Sequence, residues 1–225
     1  MLFYRGIAVA ADMVFAVTEK IRGRGLVPED GSRRMNFNDL KLQLSELWQR
    51  PSISTADTKF EGVKPSWVCA CADKGSAVYY ATEHNFSKSN DAPILISFEA
   101  DLRDVIIDGR DFLYTLFQFG DPQRARPIAE HIYGKPILQY LDRAWSSDSQ
   151  DQRIVMCDLA TQDDSVIKAH AKNKAVIGGR YRTRFRTAFM VQGPVPAERI
   201  ISVGPPESTG TTPDAEITLD MIRSS

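Results

Sequence analysis

Polar and apolar positions alternate in short blocks along this chain, and the blocks change period often. Residues 2–5 read as a short strand that begins almost at the first residue. The apolar stretch over 7–17 carries Asp12 and fits a buried amphipathic helix over 8–22, ending at Gly23 and Gly25. Asn36 or Asn38 is placed to cap a second helix running to Gln49, with Leu40, Leu44 and Leu47 on one face and Pro51 beyond its end. Residues 52–65 are polar and loop-like. Residues 67–71 form a short apolar strand, and Asp73 can cap a helix that turns Ala77, Val78, Tyr80 and Ala81 inward. Strands are expected over 94–99 and 105–107, the latter closed by an Asp108-Gly109 turn, and Asp108 and Asp111 read as turn formers.

From Asp111 to Trp145 the pattern is helical, broken at Gly120-Asp121-Pro122 and at Gly134-Lys135-Pro136. Residues 153–157 read as a strand and 165–172 as a short helix. Residues 175–177 lead through Gly178-Gly179 into the stretch 180–186, and Gly193-Pro194 turns the chain into 195–203. Short strands separated by unequal helices predict a mixed α+β domain over 1–204. The remainder, 205–225, is rich in Pro, Ser, Thr and Gly and reads as a flexible tail.

Residues 180–186 run Arg-Tyr-Arg-Thr-Arg-Phe-Arg. In a strand, Arg180, Arg182, Arg184 and Arg186 would all project from one face. Such cations repel unless an anion sits among them, and the guanidinium fork matches phosphate oxygens. The plainer alternative is an edge strand kept soluble by charge. The net charge is only −1, so any site for a polyanion is local.

Composition narrows the classes. The chain has 225 residues, 43% of them hydrophobic, enough for one full core. Its 3 cysteines form no CxxC pair, and its 3 histidines show no ligand spacing, so no metal is expected. The apolar stretch near the N-terminus is too short to span a bilayer and lacks a clear cleavage site, which predicts a cytoplasmic protein with no membrane partner. No P-loop, GxGxxG, GxSxG or HExxH motif occurs.

Three segments carry what chemistry there is. Tyr4-Arg5-Gly6 puts a cation at a strand end beside accessible backbone. Residues 66–81 read as a strand ending in small residues, then a helix bearing the pair Tyr79-Tyr80, which can stack on a flat ring. The third runs from the arginine stretch through Gly193 to Val203.

In this order the three segments resemble the ADP-ribosyltransferase superfamily. Ala77-Val78-Tyr79-Tyr80-Ala81 matches that family's A-x-x-Y-A helix start, and Gly193 to Val203 matches its closing turn and strand. The resemblance touches about residues 1–6, 66–107 and 175–203. It implies a split mixed β-sheet core with peripheral helices. It further implies a protein that uses NAD as substrate, cleaves the nicotinamide–ribose bond and transfers ADP-ribose to protein, RNA or DNA, as bacterial toxins and antiphage systems do. By position, Arg5, Tyr80 and Gln192 take the catalytic places. Tyr4, Arg5, Gly6, Ser54, Thr55, Tyr79, Tyr80, Arg182 and Arg184 take the NAD-binding ones. Two departures stand out. The family's Ser-Thr-Ser motif falls at Cys69–Cys71, and its late-strand glutamate, which stabilises an oxocarbenium-like transition state, falls at Thr187 or Ala188. The missing glutamate suggests the alternative of a non-catalytic module that binds NAD, phosphate or nucleic acid on the same fold.

Overall fold

The structure is a computed structural model that describes residues 1–28, 30, 66–85, 90–108, 110–118, 121–178, 184–207, 216–218 and 221. It is mixed α+β. Strand β1 (Leu2–Ala10) pairs antiparallel along its whole length with β3 (Asp91–Glu99), and β3 pairs on its other side with β8 (Ile200–Gly204). A second antiparallel sheet has the order β2 (Ser66–Ala70), β7 (Phe189–Gly193), β4 (Val105–Ile107). The two sheets touch edge to edge at one bridge, Tyr4 to Cys71, where Tyr4 N–H donates to Cys71 O and Cys71 N–H to Tyr4 O, each at 2.7 Å. A third small sheet has the order β6 (Arg184–Phe185), β5 (Val176–Gly178), β9 (Glu216–Thr218), with β9 parallel to β5.

Alternation decides what each face meets. On the second sheet Val68, Ala70, Val105, Ile107, Phe189 and Val191 turn to the core and are buried. They pack with apolar residues of the helical layer, which comprises α3 (Arg110–Gln118), α4 (Pro122–Tyr133), α5 (Leu138–Trp145), α6 (Gln150–Gln162) and α7 (Asp164–His170). The opposite face carries Trp67, Cys69, Met190 and Gln192, which are open or half-open.

Several expectations change. The helix expected over 8–22 is a strand as far as Ala10, and only then a helix, α1 (Val14–Arg24). Ile7 and Val9 alternate into the core, and the ladder to β3 wins over local helix propensity. The break at Gly25 stands: its φ is +86°, and a Cβ there would lie 2.0 Å from Val195 O. The strand expected over 153–157 is part of α6, where Ser149 caps the first turn by accepting from Gln152 N–H, and Ile154, Cys157, Ala160 and Thr161 are buried on one face at helical spacing. Of the strand expected over 180–186, residues 180–183 lie outside the described residues. Arg184–Phe185 belongs to the third sheet, and a bend at Arg186–Thr187 separates it from β7. Part of the expected tail, Glu216–Thr218, is a strand on β5. The helix expected to end at Gln49 lies outside the described residues. Among the described residues no helix is long and apolar enough to cross a membrane.

Candidate functional site

The bridge between the sheets organises the candidate site. The β2–β7 register sets Ala70 opposite Phe189, and the β4–β7 register sets Ile107 opposite Phe189. One step further, Cys71 and Asp108 both face Ala188, and Asp108 N–H donates to Ala188 O at 2.9 Å. Tyr4, Cys71, Ala188 and Asp108 therefore form one row across four strands. On one face Tyr4 and Cys71 pack with Ala77, Val78 and Leu95, whereas Ala188 packs into the main core.

A helix covers that face beside the row. Asp73 caps α2 (Lys74–Tyr79), its Oδ2 accepting from Ser76 N–H at 2.7 Å and from Ser76 Oγ at 2.9 Å. The helix then widens into a π turn over Tyr80–His84, closed by Asn85 N–H donating to Tyr80 O at 2.9 Å. Such widened turns are rare and cluster at functional sites. Gly6 lets this helix lie directly on β1: a Cβ there would sit 1.7 Å from Ala77 O and 2.8 Å from Ala81 N. Gly6 thus has a packing role, and Asn85 Nδ2 donates to its carbonyl at 3.1 Å. Tyr4 and Tyr80 pack with Cys71, Ala77, Val78 and Leu95, while Tyr79 meets Tyr80 edge-to-face at 6.0 Å between ring centres.

Arg5 comes from the other face of β1 and emerges at the seam between the sheets. Its Nη1 donates to Cys69 O at 3.0 Å, and its Nη2 to Pro28 O at 3.2 Å and Asp30 O at 2.9 Å. Asp30 is itself fixed, its carboxylate held by Arg24 at 2.7 Å and by Val27 N–H at 3.0 Å. The guanidinium is thereby a rigid positive charge, with its Nε–H buried and unpartnered.

Charge at this seam is felt by several groups at once. Cys69 is open at its own surface yet deep among surrounding atoms. That loss of bulk water pushes its thiol up, Asp108 pushes the same way, and Arg5 opposes both. Burial first, then Asp73, Cys69 and Asp108, push the Cys71 thiol up as well. Burial, followed by Cys71 and Asp108, raises the Tyr80 hydroxyl well above its ordinary value. Both thiols are thus protonated at neutral pH and are poor nucleophiles.

Thr187 locks the row in place. It is fully buried, and its Oγ1 accepts from Ala72 N–H and Asp73 N–H, both at 3.0 Å. Replacing it by Val strands two half-buried donors. Thr187→Val is expected to lose about 1–3 kcal/mol in urea unfolding, and Thr187→Ser to retain most of it because its hydroxyl remains. Arg186 is turned to Asp73, Nη1 to Oδ1 at 3.3 Å, so the last arginine of the run contacts the helix cap.

The sequence-derived residues divide accordingly. Tyr4, Gly6, Tyr79 and Tyr80 are brought together where the helix rests on β1, and Arg5 reaches the seam from the opposite face. Gln192 lies apart. It pairs with Trp67, four residues along β7 from Ala188 and so about 13 Å away at ordinary strand rise. It lines a separate depression of about 290 Å³ with Glu99, Asp104, Glu198 and Arg199. Arg184 lies in β6 of the third sheet. Ser54, Thr55 and Arg182 lie outside the described residues. Asp108, read from sequence as a turn former, follows β4 directly, and its N–H is tied to Ala188 O. Comparisons with protein-family models, with curated proteins and with solved structures find no match.

Proposed function

We propose that the chain binds NAD in the cleft beside the Tyr4–Cys71 bridge, cleaves the nicotinamide–ribose bond and transfers ADP-ribose to an acceptor. The approach of Arg5, Tyr80 and the Thr187–Ala188 segment to the seam between the two sheets, Arg5 from one face and Tyr80 from the other, supports the proposal. These segments lie far apart in sequence, and each bears one motif of the ADP-ribosyltransferase resemblance. Two antiparallel three-stranded sheets meeting at a seam fit the split core that the resemblance implies. In this function Arg5 supplies fixed positive charge toward the NAD phosphates. Tyr80 offers a ring against which nicotinamide stacks. The cationic sequence of the arginine stretch suits an anionic acceptor, for which RNA or DNA is the favoured class.

Nicotinamide release from NAD by purified protein, with label transfer to RNA, DNA and protein, tests the proposal. Wild-type protein is expected to release nicotinamide. Arg5→Lys, which keeps the charge but cannot reproduce the fork on three carbonyls, is expected to lower kcat/KM by about tenfold or more. Absence of release from wild-type protein would contradict the catalytic function. The lack of a glutamate at Thr187 or Ala188 favours one second reading: a module that binds NAD without cleaving it. Saturable NAD binding with no nicotinamide release is its signature.

A further inference from the structure

Independently of the NAD-cleaving function proposed above, we infer that Cys69, Cys71 and Met190 form a binding site for a soft monovalent metal ion, Cu(I), on the outer face of the second sheet. Alternation sets the face. Val68, Ala70, Phe189 and Val191 are buried in the main core, so Cys69 and Met190 project from the opposite side. Cys71 follows on that side, packed with Tyr4 and Tyr80 rather than with the main core. Three sulfurs thus stand on one face, and both thiols are free.

Their spacing follows from the register. Cys69 lies directly opposite Met190. The carbonyl of Cys69 accepts from Arg5 Nη1 at 3.0 Å, and the N–H and carbonyl of Cys71 both pair with Tyr4. Cys69 therefore turns its backbone groups toward β1 and away from β7. Cys69 and Met190 are a non-hydrogen-bonded pair, the kind whose side chains come closest, about 4.5 Å apart at Cα. Cys69 and Cys71, two residues apart in an extended strand, are about 6.8 Å apart at Cα. That is the outer limit for a disulfide. It suits a bridging ion, because two thiols leaning toward each other close the gap to about 4–5 Å, twice a metal–thiolate bond of about 2.3 Å. The flexible thioether of Met190 reaches the same point from across the ladder.

The ligand set selects the ion. Among the described residues no group of three His, Cys, Asp or Glu is placed to hold a metal ion, whereas a structural Zn(II) takes four such ligands. Two thiolates and a thioether suit Cu(I). Two thiol protons leave for solvent as the ion enters. The bound unit is then anionic, and the guanidinium of Arg5, fixed on the Cys69 carbonyl, offsets its charge. Cys69 is exposed and gives the ion a way in, while Cys71 is buried and shields it from water.

Titration of the full chain with Cu(I), kept reduced by ascorbate without oxygen and set against a chromophoric chelator, reads affinity and stoichiometry. X-ray absorption at the copper edge reads the ligands. One ion per chain in an all-sulfur shell is expected. Cys69→Ser, at an exposed position, is expected to weaken binding by about 10²-fold or more with the thermal midpoint held. Met190→Leu is close in volume, leaves two sulfurs on the ion and is expected to weaken binding about tenfold. Cys71→Ser should match Cys69→Ser, and where it alters the midpoint Cys69→Ser decides alone. Wild-type affinity in Cys69→Ser, nitrogen or oxygen ligands on the copper, one ion shared by two chains, or no binding overturns the inference.

Discussion

Gly6→Ala is expected to destabilise the protein by about 3 kcal/mol or more, at the upper end for overpacking. The added methyl would sit 1.7 Å from Ala77 O and 2.8 Å from both Ala77 C and Ala81 N. All three are backbone atoms of one helix, so no rotamer change relieves the clash. The helix must lift off β1 or break. It carries Tyr79 and Tyr80, and its π turn is tethered to the Gly6 carbonyl through Asn85. Loss of stability and loss of the tyrosine's position therefore come together. Urea unfolding monitored by tyrosine and tryptophan fluorescence reads the first, and NAD titration reads the second. A variant with wild-type stability would mean that the helix does not rest on Gly6.

Acid is expected to weaken the protein through His170. This side chain is fully buried, stacked on Tyr133 at 4.8 Å and edge-on to Phe189 at 5.3 Å between ring centres. Burial lowers its pKa to about 4, and the contact of its Nδ1 with Ile132 O only partly opposes this. The unfolded chain binds the proton near pH 6.5. The folded pKa is the lower one, so the stability is fully present above about pH 6.5 and is lost as pH falls toward 4. Between pH 7 and pH 4.5 the loss from this one group amounts to about 2.5 kcal/mol. His170→Phe keeps an aromatic ring between Tyr133 and Phe189 and removes the titration. Unfolding at the two pH values should then show a smaller difference for the variant than for wild-type protein. Equal acid losses in both would place the cause in other groups.

Features set by local chemistry were legible in the sequence. Asp73 caps its helix, 105–107 is a strand, and Gly25 and Gly134 end helices, as turn and cap residues imply. Features set by pairing were not. Residues 7–10 are apolar enough for either helix or strand, and only the distant β3 decides between them. Residues 153–157 contain a β-branched pair that suits a strand, but the Ser149 cap and the buried Ile154, Cys157 and Ala160 commit them to a helix. The candidate site shows the same division. Arg5 and the tyrosine pair could be named because they follow motifs along the chain. In the sequence Asp108 precedes Gly109, a pair that reads locally as a turn. Its place opposite Ala188 is a fact of register, and register depends on residues some eighty positions later. Arg184–Phe185 is a strand, as the period of two implies, but Asn173 holds the Arg186 carbonyl at 2.7 Å where the chain bends before it enters a different sheet.

Mapping NAD binding on the amide resonances of the full chain tests the central claim most directly. The claim is that one cleft at the seam of the two sheets takes this substrate. It predicts that the amides of Arg5, Cys69, Cys71, Tyr80 and Asp108 shift together and saturate with one dissociation constant. Shifts confined to Gln192, Glu198 and Arg199 around the other depression, or no shifts at all, would contradict it.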